Sequence, residues 1–119
     1  MAKAKKIENA ERLRYIRVLE RFSKSIVTYL FRAESISKEG YDKKIEKNLR
    51  YFERVPPATL YKGEYSDLEA LVKRMIAYKH TETPIDTIKE DLLYRSNQIE
   101  KSINRRRYKK EKYNNTDDW

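Results

Sequence analysis

The sequence contains no cysteine. That excludes a disulfide framework, thiolate catalysis and any cysteine-based zinc site. Glycine occurs only at positions 40 and 63, so no glycine-rich loop can cradle a phosphate. Proline is nearly as scarce, and the chain lacks the punctuation of a linker or of a turn-rich β protein. His80 is the only histidine, which leaves no second partner set for a histidine-based triad. No metal site and no cofactor are expected, and the chain reads as non-enzymatic. Long apolar runs are also missing, so nothing in the sequence is expected to cross a membrane. The basic start, Met1 to Lys6, is not followed by an apolar signal region, because Arg12, Arg14, Arg17 and Arg21 interrupt it. The expectation is a cytoplasmic protein, or a virion protein if it is viral.

Acid is in deficit. Against 28 Lys+Arg stand 19 Asp+Glu, a net charge of +9 over 119 residues. A small domain with that excess repels itself unless counter-ions or an anionic partner are present. Nucleic acid, an anionic membrane surface and an acidic protein face are the candidate partners.

The low mean hydropathy of −1.00 alone would favour disorder. The spacing of the apolar residues argues otherwise. Ile16, Leu19, Phe22, Ile26, Leu30 and Ala33 recur in steps of three and four, which predicts a long amphipathic helix from about Glu8 to Ala33. The segment Ser35 to Gly40 is read as the break. A second helix is expected from Asp42, as N-cap, to Arg54, with Ile45, Leu49 and Phe52 inward. Pro56-Pro57 ends it. Residues 55–65 form a connector whose Leu60, Tyr61 and Tyr65 should hold it against the body.

A third helix is expected at Ser66, where Ser66 and Glu69 have the spacing of a capping box, with Leu68, Leu71, Val72, Met75 and Ile76 buried and an end near His80. The fourth starts at Thr83-Pro84, and its stripe of Ile85, Ile88, Leu92, Ile99 and Ile103 stops well before the helix does, near Tyr113. The fold expected is therefore all-α: a small bundle of about four helices, with a long first helix and a long C-terminal helix projecting a basic end. Residues 1–7 read as a basic flexible lead-in, 8–113 as one helical domain and 114–119 as an acidic flexible tail.

Two stretches carry candidate chemistry. At about 100° per residue, Arg14, Arg17, Arg21, Lys24 and Arg32 share an arc of roughly 80° on the first helix. Thr28 lies in that arc, while Glu20 and Glu34 are expected to point elsewhere. A row of arginines can follow a phosphate backbone, because guanidinium forks onto phosphate oxygens with directional bonds. A merely solvated face would be expected to mix both signs.

The second stretch is residues 101–112, with Lys101, Arg105, Arg106, Arg107, Lys109, Lys110 and Lys112 against the single acid Glu111. Tyr108 interleaves these charges and can stack on a base. The competing reading is a solubilising helix end, since cations suit a helix C-terminus.

Elsewhere, acids at helical spacing from Lys or Arg read as solvated ion pairs. Tyr15, Tyr29, Tyr51, Tyr78 and Tyr94 read as boundary core residues with the hydroxyl in water. A helix-turn-helix over 66–104 is disfavoured by a turn without glycine and by too long a second helix. The functional expectation is a basic helical nucleic-acid-binding accessory protein, DNA or RNA, using mainly phosphate contacts with little sequence preference. The alternative is a structural or assembly subunit, possibly of a virus or mobile element, that binds acidic protein surfaces and self-associates into a homo-oligomer.

Overall fold

One side of the first helix alternates Tyr15, Ile16, Leu19, Phe22, Ile26 and Leu30, and all six are buried. Every third or fourth residue returns to that side of a 3.6-residue helix, so burying the stripe fixes the helix against the body. Each fully buried Phe, Ile or Leu contributes about 1.5–3 kcal/mol of transfer free energy.

The computed structural model describes the backbone of residues 2–32, 34–60 and 63–117, and the side chains of 9–31, 34–60, 63 and 65–104. It is a four-helix bundle: α1 Ala2–Arg32, α2 Lys38–Asn48, α3 Gly63–Tyr78 and α4 Ile85–Asp117. A 3-10 turn, Leu49–Phe52, continues α2. There is no strand among the described residues.

Tertiary hydrogen bonds give the directions of the helices. Tyr15 donates to Glu69 near the start of α3, while Tyr41 on α2 donates to the Met75 carbonyl near its end. Ser37, just ahead of α2, donates its N–H to Tyr29 near the end of α1. α1 and α3 therefore run parallel. A short turn reverses the chain, and the Arg74–Asp91 ion pair ties α3 to an antiparallel α4. α1, α3 and α4 pack on one another, and α2 with its 3-10 turn covers α1. The described chain measures 53 × 33 × 19 Å. At about 1.5 Å per residue a 33-residue helix is about 50 Å long, so α4 alone accounts for the long axis, and the 19 Å thickness is two helix layers.

Several boundaries differ from the sequence expectation. α2 begins at Lys38, not Asp42, because Ser37 is the cap: its Oγ accepts the Gly40 N–H at 3.0 Å. Gly40 is thus helical rather than part of the break. Asp42 instead pairs with Lys38 at 2.6 Å. The regular α-helix gives way at Asn48 to the 3-10 turn, so Leu49 and Phe52 pack on the core from that turn.

α3 begins at Gly63, three residues before Ser66, so the capping box does not form. Ser66 Oγ donates to the Leu60 carbonyl, and Glu69 accepts from Tyr15. α3 ends at Tyr78, and His80 is exposed in the turn that follows. Thr83 bonds the Thr81 hydroxyl, and the Pro84 carbonyl accepts the Ile88 N–H that opens α4. The outer helices also run further than expected, α1 from Ala2 and α4 to Asp117.

Within the connector, Val55, Ala58 and Leu60 pack on the core. Tyr61 lies outside the described residues, and Tyr65 falls within α3.

Candidate nucleic-acid interface

The buried stripe of α1 centres on Leu19, Phe22 and Ile26. The opposite side of the helix must face solvent, and there the sequence has placed its cations. Arg14, Arg17, Arg21 and Lys24 are all exposed, as is Thr28. They line one side of an open groove of about 870 Å³, whose far wall is Lys44 of α2 and Val55 of the connector. Ser25 and Tyr29 complete the α1 side. Successive cations one turn apart are separated by about 5.4 Å along the axis.

What surrounds these cations matters as much as their number. Among the described residues, ion pairs link Lys38–Asp42, Lys43–Glu39, Lys73–Glu69, Arg74–Asp91, Lys79–Glu46 and Arg95–Asp91. None of these pairs engages Arg14, Arg17, Arg21, Lys24 or Lys44. Arg21 instead lies over the Tyr51 ring, 5.6 Å from its centroid. Glu20 is the one acid that lines the groove, so cations outnumber carboxylates there. Cations lining one concave surface raise the local concentration of anions.

Glu20, expected to point away, lines the groove margin together with Lys24 and Thr28. The same three residues also line a second groove of about 610 Å³ between α1, α3 and α4. They form a crest with one groove on either side. The second groove holds Val27, Leu68, Leu71, Ile99 and Ile103, along with Glu100 and Asn104. Phe31 is 71% exposed and Leu13 is 54% exposed. Eighteen residues make about five whole turns, so these two stand on one line of α1, at either end of the crest.

The remaining site residues divide as follows. Lys101 is exposed on α4 and lines neither groove. The side chains of Arg32, Arg105, Arg106, Arg107, Tyr108, Lys109, Lys110 and Lys112 lie outside the described residues. So does the tail residue Trp119. The backbone of α4 does run through 105–112. Lys44, Val55 and Phe31 had not been singled out in the sequence. Lys44 and Val55 join the site only because α2 and the connector fold back along α1.

The tyrosines divide three ways. Tyr15 is core, and burial, followed by the hydrogen bond and charge of Glu69, pushes its phenol upward. Tyr41 is fully buried, and burial raises it likewise. Tyr78 bonds Asp91 at 2.7 Å, and Tyr94 is exposed. Asp91 joins α4 to α3 through Arg74 and Tyr78, and accepts from Arg95 within α4. Burial pushes the Asp91 carboxyl up, but these three hydrogen bonds and the charge of Arg74 outweigh it, and the net result is a fall to about 2.

No group of acids or histidine able to hold a metal occurs among the described residues, and no helix there is long and apolar enough to cross a membrane. Compared with known protein families, characterised proteins and solved structures, the chain matches none.

Proposed function

We propose that this protein is a non-enzymatic accessory protein that binds nucleic acid, chiefly through phosphates laid along the cationic groove of α1. The observation that carries the reading is the groove itself. Arg14, Arg17, Arg21, Lys24 and Lys44 converge on it without an ion-pair partner among the described residues, with only Glu20 at the margin. A solvated face that merely keeps a protein soluble needs no such convergence from two helices. Contacts of this kind position a strand without reading its bases, so sequence preference is weak. A cytoplasmic or virion location goes with the reading.

Fluorescence anisotropy with labelled DNA and RNA across a salt series tests it. The expected result is affinity that falls linearly on logarithmic axes, by about 0.7–0.9 for each phosphate contact. No detectable binding to any nucleic acid at about 50 mM salt overturns the reading.

The second reading, an assembly subunit that meets acidic protein or further copies of itself, draws on the exposed apolar side chains Leu13 and Tyr94. It predicts concentration-dependent association of the purified protein, with no salt-dependent nucleic-acid binding.

A further inference from the structure

The two grooves beside the crest differ in sign, and a single strand of nucleic acid has two different edges. One edge is phosphate and the other is base. The groove on the α2 side presents five cations and one carboxylate. The groove on the α4 side presents two carboxylates, Glu20 and Glu100, and one cation, Lys24, on a mixed floor where Val27, Ile99 and Ile103 stand beside Ser23, Ser96 and Asn104. Phosphates are drawn to the first, while the second offers them no excess of cations. Bases suit the second, where apolar side chains meet their faces and carboxylates accept hydrogen bonds from exocyclic amines, as Glu does from cytosine.

Phe31 adds a stacking surface. A phenylalanine 71% exposed at the end of a cationic row is an aromatic face left open beside the path of a strand. A duplex keeps its base faces stacked inside, so Phe31 cannot stack on them, whereas a single strand leaves them open.

We propose that the nucleic acid bound is single-stranded and straddles the crest Glu20–Lys24–Thr28. Its phosphates lie against Arg14, Arg17, Arg21 and Lys44, and its bases turn over the crest onto Phe31 and into the groove between α1 and α4. This assignment rests on the nucleic-acid reading above and adds to it the strand class and the polarity of docking.

Three probes of equal phosphate number separate the terms: a single-stranded deoxycytidine oligomer, the same strand without bases, and a duplex. Each is titrated with the wild type and with Phe31→Ala, whose exposed position leaves the core untouched. The wild type is expected to hold the cytidine strand at least tenfold more tightly than the base-free strand or the duplex, in keeping with the worth of stacked bases, about 1–3 kcal/mol each. F31A is expected to weaken the cytidine strand about tenfold and to leave the other two unchanged. Equal wild-type affinity for all three probes overturns the single-strand assignment while the polyanion reading stands. An unchanged affinity of F31A for the cytidine strand removes Phe31 and the base-side docking with it. Failure to bind any of the three overturns the assignment and the reading beneath it.

Discussion

At the scale of single residues, two positions show how the bundle is held. Asp91 accepts from Arg74 at 2.6 Å and from Tyr78 at 2.7 Å, which ties α4 to α3, and from Arg95 within α4 at 2.8 Å. Its carboxyl is held at about 2 against an ordinary 3.8. A pKa lower in the folded state than in the unfolded chain means that the ionised form stabilises the fold. That contribution is complete above about pH 4 and is lost as pH falls through the folded value near 2. Asp91→Asn is expected to cost about 1–3 kcal/mol at neutral pH, and thermal unfolding of the variant should change less than that of the wild type between pH 4 and 2.

Gly40 shows a different constraint. Its backbone is ordinary, with no positive φ, yet an added Cβ would collide with the Tyr29 hydroxyl. The glycine therefore answers to a close approach of α2 and α1, not to a turn. Gly40→Ala is expected to lower the melting temperature, and Tyr29→Phe in the same chain should restore part of the loss. A double-mutant cycle with zero coupling would contradict this.

At the scale of elements, what could be read in advance depended on whether the deciding interaction was local. The stripes of α1, α3 and α4 were legible because a 3.6-residue period is a property of one segment. The start of α2 was not, since Ser37 and Asp42 are both good caps and the choice falls to packing: Tyr41 must sit wholly buried with its hydroxyl on Met75. The Ser66–Glu69 spacing misled for the same reason. Glu69 is held by Tyr15, 54 residues away. The cationic row was visible because angular position on one helix is simple arithmetic, whereas Lys44 and the second groove exist only once α2 and α4 have packed. The stripe of α4 ends at Ile103, which is half-buried. Removing residues 105–119 is therefore expected to change thermal stability little, within about 0.5 kcal/mol as for surface changes, while flattening the salt dependence of polyanion binding. Calorimetry and a salt titration on the truncated chain check both halves.

At the scale of the whole molecule, net charge and charge placement make different claims. A protein of +9 will attract polyanions weakly wherever its cations lie. Charge placement goes further and puts the proposed binding on α1, where cations without an ion-pair partner among the described residues converge on one groove. Two triple variants separate the alternatives. One reverses Arg14, Arg17 and Arg21 to Glu. The other reverses Lys43, Lys47 and Lys73 to Glu, which are exposed and line neither groove. Both lower the net charge equally, and circular dichroism confirms that each remains helical. Anisotropy against single-stranded DNA at about 50 mM salt then decides. The α1 variant is expected to lose binding while the control keeps most of it. Equal loss in both, or binding retained by the α1 variant, would contradict this placement.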